Sequence, residues 1–132
     1  MSTTLHGRAL VEGHASAQAL VCTAPISGWG GIDAARGTIV ETSHPQRGES
    51  FAGKVLVIPG AKGSSGWSAQ FHLARTMGTA PAAIVTSKVN SKLAVGLVAL
   101  RVPAVLIENL EDFDIDAHTV VTVHGDSVTL HS

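Results

Sequence analysis

The chain has 132 residues, a length that suits one domain with a buried core but is short for an enzyme that forms a deep cleft alone. Its apolar content of 45%, its 14 glycines and its net charge of −1 argue against a nucleic-acid-binding protein and against a disordered chain. No apolar run approaches the length of a membrane span, and the first residues have no apolar signal-peptide core, so we expect a cytoplasmic protein without membrane association.

The single cysteine and the histidines do not suggest a metal site. Cys22 lies in an apolar run, where a cysteine is usually a small core residue, and one thiolate cannot hold an iron–sulfur cluster or a structural zinc ion. The seven histidines are scattered, with no HxH or HxxxH pair. We therefore predict that this chain holds no metal and no cofactor by itself.

Two β-prone runs come first along the chain, at 5–11 and 17–24, and the polar turn between them predicts a hairpin. A glycine-rich loop follows and contains Trp29 and Asp33, an aromatic residue and an acid of the kind that often line a pocket. A position of Trp29 inside the hydrophobic core is an equally good interpretation. Residues 38–41 are predicted to form a short strand.

The polar segment 42–54 is predicted to be a long connection into the next strand, because one proline and two glycines interrupt it. It gathers three ionisable side chains, His44, Arg47 and Glu49. A loop with this cluster can orient a substrate, although a solvated surface loop is the commoner outcome.

A buried strand at 55–58 leads into the sequence PGAKGSSGW and then into a predicted helix at 68–77. The glycines let the amide groups of this loop converge on a ligand outside the end of the strand. Ser64 and Ser65 precede the helix, where unpaired N–H groups and the helix dipole stabilise an anion or an ionised hydroxyl. The same serines would also serve as an ordinary helix cap, and their spacing does not match a Walker phosphate loop.

The next elements extend a parallel sheet. Strands at 82–86 and 104–107 flank a second predicted helix at 92–100, which makes three parallel strands joined by helical crossovers. Residues 119–123 and 127–130 alternate threonine and valine around a Gly-Asp turn and are predicted to form a hairpin. This order predicts a single α/β domain over the whole chain, with three β/β/α layers, a parallel central sheet and flanking antiparallel strands.

Several short motifs occur in an informative order along the chain. They are ISGWGGIDAARGTIVE, the histidine that follows it, GESFAGKVLVIP, KGSS and TAPAAIV. Together they resemble the small subunit, or swivel domain, of the aconitase X family, from about residue 7 to residue 108. The combination is specific, whereas each motif alone would be weak. The resemblance implies a swivelling β/β/α domain, in agreement with the predicted order of elements.

The resemblance also implies an activity. Members of the family are dehydratases that act on cis-3-hydroxy-L-proline or on mevalonate 5-phosphate. In the two-chain forms a large subunit supplies the cysteines of an iron–sulfur cluster, and the small subunit supplies a serine as the proton acceptor. That serine corresponds to Ser64, and Ser65 stands where relatives have Ser or Thr. The candidate substrate-binding residues are Lys62, Gly63, Ser65, Trp29, Asp33 and His44.

The leading hypothesis is the small subunit of a heterodimeric dehydratase that converts cis-3-hydroxy-L-proline to Δ1-pyrroline-2-carboxylate and water. The alternative with the same mechanism is the small subunit of a mevalonate 5-phosphate dehydratase. Two other interpretations assign the chain to a different functional class. One is a phosphohistidine carrier, which would need a histidine in the glycine loop, and the other is a non-catalytic module that binds an anion. Because ligands of parallel sheets bind at the carboxyl ends of the strands, we expect Trp29, Asp33, His44 and Ser64 to gather at one edge.

Overall fold

The computed structural model describes residues 2–26, 31–41, 44–60, 67–110, 115 and 119–131. The elements of this part of the chain are, in order, β1 (Ser2–His6), β2 (Arg8–Val11), β3 (His14–Val21), β4 (Ile32–Asp33), β5 (Thr38–Ile39), β6 (Val55–Ile58), α1 (Trp67–Met77), β7 (Ala83–Thr86), α2 (Ser91–Leu100), β8 (Ala104–Leu106), β9 (Val120–His124) and β10 (Ser127–His131). None of the described helices is long and apolar enough to cross a membrane.

Eight of the described strands form one sheet in the order β1-β10-β9-β3-β6-β7-β8-β2. Strands β3, β6, β7 and β8 are parallel, whereas β2 and the group β9, β10 and β1 pair antiparallel with their neighbours. The long strand β3 joins the two groups, because residues 14–18 pair with β9 and residues 19–21 pair with β6. The two end strands, β1 and β2, are separated in sequence by Gly7 alone, so the sheet folds back on itself into two layers.

The parallel layer is buried on both faces. One face packs on the antiparallel layer, and this core includes Leu5, Val121, Val123, Val128, Val55, Val57, Val85 and Val105. The other face packs on the helices, and this core includes Phe71, Leu93, Leu97, Leu100, Leu56, Ile58 and Ile84. Burial on both faces explains why β6 and β7 are continuous apolar runs in the sequence.

This architecture confirms the predicted three-layer β/β/α domain. The three predicted parallel strands, both crossover helices and the C-terminal hairpin lie where periodicity and turn residues predicted them, with bounds that differ by one or two residues. The fourth parallel strand, β3, was not predicted to be parallel, and it begins and ends three residues earlier than the predicted run 17–24. The predicted strand at 38–41 is shorter, because β5 contains Thr38 and Ile39 and pairs with β4 in a separate two-stranded sheet.

The predicted N-terminal hairpin is wrong. The run 5–11 divides at Gly7 into two strands that pair with distant partners, β1 with β10 and β2 with β8, and neither pairs with β3. Gly7 is needed at the division because a Cβ there would lie 2.0 Å from the Leu106 carbonyl oxygen. These pairings cover the outer edges of β10 and β8 and make β1 and β2 the two end strands of the sheet.

Candidate functional site

The ends of three neighbouring parallel strands define the candidate site. Strands β3, β6 and β7 end at Val21, Ile58 and Thr86, and because the strands are parallel these ends lie at the same border of the sheet, which we call the carboxyl edge. Both helices begin after strands that end there, α1 after β6 and α2 after β7. Ligands of open parallel sheets bind at such an edge.

The glycine loop itself lies outside the described residues. Lys62, Gly63, Ser64 and Ser65 belong to the segment 61–66, so their predicted roles stay predictions. The described residues on either side are the end of β6 with Pro59 and Gly60, and the start of α1 at residue 67. The chain therefore enters the loop at the carboxyl edge, as the sequence predicted. Trp29 also lies outside the described residues.

A cavity of about 300 Å³ opens at the carboxyl edge. Its described lining residues are Val21, Cys22, Thr23, Val57, Ile58, Pro59, Ser87, Leu110 and Ile115. Most of these side chains are apolar, two carry hydroxyl groups, and no residue of this described lining carries a formal charge at neutral pH. A cavity of this kind suits a small ligand whose charged groups are held at its rim.

Cys22 lines the cavity but is not a reactive thiol. Its side chain is 4% exposed, and burial, with a smaller contribution from the charge of Glu49, raises the pKa of the thiol from 9.0 to about 12. The thiol is therefore protonated at neutral pH, whereas nucleophilic and metal-binding cysteines act as thiolates. The predicted core position of Cys22 is confirmed.

His44 lies in the loop at the carboxyl edge and is 6% exposed. Its Nδ1 accepts a hydrogen bond from the Gln46 backbone N–H at 3.0 Å, so Nε2 carries the proton and donates to the Ala24 carbonyl at 3.0 Å. Both ring nitrogens are engaged, and the ring links the loop after β3 to the segment before β6. His44 thus has a structural role that the sequence did not predict, and its contact with substrate stays a prediction.

Asp33 has a local structural role in the turn between β4 and β5. Its carboxylate accepts a hydrogen bond from the Arg36 backbone N–H at 3.2 Å and lies 3.8 Å from Arg36 Nε, so it caps the turn between β4 and β5. That turn contacts the opposite border of the sheet: Thr79, which precedes β7, donates to the Ala34 carbonyl. The β4–β5 turn thus lies toward the amino ends of the strands, and contact of Asp33 with substrate stays a prediction.

The polar turn at the end of β7 was not among the predicted site residues. The Ser87 hydroxyl donates to the Pro59 carbonyl at 3.0 Å, and the Ser87 N–H donates to the Ile58 carbonyl at 3.3 Å. Lys88 lies beside Gly60, where a Cβ would come 3.4 Å from the Lys88 Cβ. The sequence contained a signal for this turn. Residues 87 and 88 directly follow a strand predicted to be parallel to the one before the glycine loop, and the carboxyl ends of parallel strands lie at the same edge of the sheet.

A metal centre is not visible in the described part of the chain. Residues 2–26, 31–41, 44–60, 67–110, 115 and 119–131 contain no group of three or more His, Cys, Asp or Glu side chains arranged to hold a metal ion. His72, the histidine nearest in sequence to the glycine loop, lies on the second turn of α1 with its Nδ1 3.1 Å from Arg75 Nη2.

Comparison with known proteins supports the resemblance that the motifs suggested. Residues 4–131 match the family described as the aconitase X swivel domain. The chain is similar to the phosphomevalonate dehydratase small subunit of Methanothermobacter thermautotrophicus, with 35% identity over 83% of this chain and 91% of the relative. It is 34% identical to the protein of the same name from Methanocella arvoryzae, over 96% of this chain and 91% of the relative. The crystal structure of Thermococcus kodakaraensis aconitase X in its holo-form superposes with a TM-score of 0.89 at 27% identity, over 98% of this chain and 99% of that chain.

Proposed function

Because the chain belongs to the aconitase X swivel domain family, we propose that it is the small subunit of a two-chain dehydratase in which Ser64 is the base. The observation that carries the proposal is that β6 ends and α1 begins on either side of residues 61–66, beside a cavity whose described lining residues carry no formal charge. The relatives named as small subunits support a large-subunit partner.

Ser64 is suited to remove a proton from the substrate. A serine hydroxyl is too weakly acidic to ionise in water at neutral pH, so its alkoxide needs groups that stabilise negative charge. Ser64 precedes the first residue of α1 by three positions, and the first N–H groups of a helix and its dipole stabilise an anion there. Lys62 would add a positive charge to the same loop.

The iron–sulfur cluster implied by the resemblance does not fit this chain. Its only cysteine is buried and protonated, and the described residues offer no other ligand group. We therefore assign the cluster to the large subunit. The role of this chain is to hold the reacting carbon of the substrate next to Ser64 and to exclude water from that carbon.

Two substrates are compatible with the proposal. The uncharged described lining of the cavity favours cis-3-hydroxy-L-proline, since a phosphate dianion would need several cationic side chains there. The names of the relatives favour mevalonate 5-phosphate. Both compounds are small carboxylates that lose water, so the same base serves either reaction.

Co-expression of this chain with its large subunit, followed by assay of both compounds, tests the proposal. We expect dehydration of one of them by the complex and none by the purified small chain. Ser64→Ala should lower turnover by several orders of magnitude, while loss of a cap hydroxyl costs about 1 kcal/mol of folding free energy. Ser65→Ala should lower turnover less than Ser64→Ala, because we expect Ser65 to donate a hydrogen bond rather than to accept the proton. A Ser64→Ala complex with near-normal activity would remove the serine base from the mechanism.

A further inference from the structure

The turn at the end of β7, Thr86 to Lys88, is fastened to the chain that enters the glycine loop. Ser87 makes two hydrogen bonds to it, through its hydroxyl to the Pro59 carbonyl and through its N–H to the Ile58 carbonyl. On the other side of the turn, the Thr86 hydroxyl donates to the Lys88 carbonyl at 2.8 Å. The backbone of Lys88 is therefore held in one position relative to the entry of the loop.

Gly60 shows how closely Lys88 approaches that entry. Its φ of 142° is a conformation that L side chains rarely adopt, and a Cβ there would lie 3.4 Å from the Lys88 Cβ and 3.7 Å from the Lys88 carbonyl oxygen. The Cβ of Lys88 thus lies beside Gly60, the first glycine of the loop. A lysine carries its ammonium on a flexible stem of four carbon atoms, so its charge can reach well beyond the backbone turn that holds it.

The cavity needs a cation that its described lining does not contain. Both proposed substrates carry a carboxylate, and a buried carboxylate is stable only with a charged or hydrogen-bonding partner. Ser87 lines the cavity, and Lys88 follows it directly in the chain. The Lys88 side chain is exposed, and among the described residues it has no hydrogen bond and no ion pair.

We propose that Lys88 binds the carboxylate of the substrate and that Ser87 is the residue that positions it. This inference rests on the proposed dehydratase function and adds a binding residue that neither the motifs nor the glycine loop indicated. Lys62 is the cation that the sequence predicts within the glycine loop, two residues after Gly60, and Lys88 is a second cation that follows the neighbouring strand β7.

Variants of the co-expressed complex test the role in turnover. Lys88→Met keeps the stem and removes the charge, so we expect KM to rise roughly 10-fold to 100-fold, the factor of one charge-assisted hydrogen bond, with kcat within about threefold. Lys88→Arg should recover part of the loss. Ser87→Ala should raise KM by a smaller factor, and Ser87→Thr should restore it. Lys54→Met is the matched control, because Lys54 directly precedes β6 and therefore lies at the amino ends of the parallel strands, opposite the carboxyl edge, and it should leave KM unchanged.

A second measurement does not depend on turnover. Acetylation of lysines in the intact wild-type complex is followed by peptide mass spectrometry with and without each compound, and substrate should protect Lys88 but not Lys54. This inference would be overturned if the Lys88→Met complex kept the wild-type KM and substrate did not protect Lys88 in the wild-type complex. Turnover by both complexes would then leave the dehydratase proposal standing. Protection of Lys88 without turnover of either compound would overturn the dehydratase proposal alone. Neither turnover nor protection would overturn both.

Discussion

Replacement of His44 by alanine distinguishes a structural histidine from a substrate ligand. The ring makes two hydrogen bonds to backbone groups, one to the Ala24 carbonyl and one from the Gln46 N–H, both at 3.0 Å. Each is worth about 1 kcal/mol, and loss of the buried ring with its cavity adds about 1–2 kcal/mol. We therefore expect His44→Ala to lower the free energy of unfolding by about 3–4 kcal/mol.

The assay combines stability with kinetics. Urea unfolding of the purified chain followed by circular dichroism gives the free energy, and a loss of this size should lower the melting temperature by roughly 12–16 °C for a domain of this length. His6→Ala is the matched control, because His6 is exposed and makes no described side-chain hydrogen bond, and it should change the free energy by less than about 0.5 kcal/mol.

Kinetics of the complex complete the test at a temperature where the His44→Ala chain is still folded. If the ring only holds the loop, then the KM of the folded complex should stay within a fewfold of the wild-type KM. A variant with wild-type stability and a KM raised tenfold or more would refute the structural role and favour direct contact with substrate.

Three further outcomes follow from the described residues. Iodoacetamide at pH 8 should label Cys22 only after urea unfolds the chain. Because the pKa of the thiol is raised from 9.0 to about 12 in the folded chain, Cys22 should contribute fully to the free energy of unfolding below pH 9. Between pH 9 and pH 12 the free energy of unfolding should fall by about 1.4 kcal/mol per pH unit, and Cys22→Ala should remove this slope. Gly37→Ala should cost at least about 1 kcal/mol more than Gly48→Ala in urea unfolding, because both glycines have positive φ but only a Cβ at Gly37 would meet other side chains, at 3.0 Å. Asn90→Ala should cost about 1 kcal/mol and Asn90→Asp much less, since the side chain accepts the Leu93 N–H at 2.8 Å as the cap of α2.

The sequence by itself was sufficient for the elements whose signals are local. The apolar runs of β6 and β7, the two crossover helices and the Gly125 turn of the C-terminal hairpin are each encoded within about ten neighbouring residues. The order of these elements restricted the architecture to three β/β/α layers, since parallel strands need crossovers that cover the sheet. The same local reasoning located the glycine loop at the end of a parallel strand.

The tertiary structure alone decided the pairings and partners that join distant parts of the chain. Thr4 pairs with Thr129, more than a hundred residues away, and nothing local in the first apolar run distinguishes that partner from β3. A histidine in a polar loop is solvated unless backbone groups converge on it, and only the fold brings Ala24 and Gln46 to the two nitrogens of His44. In the sequence Lys88 cannot be distinguished from any other loop lysine, and only the parallel pairing of β6 and β7 brings it to Gly60. The hydrogen-bonding capacity and the charge of a side chain are local properties, whereas the groups that it meets depend on the fold.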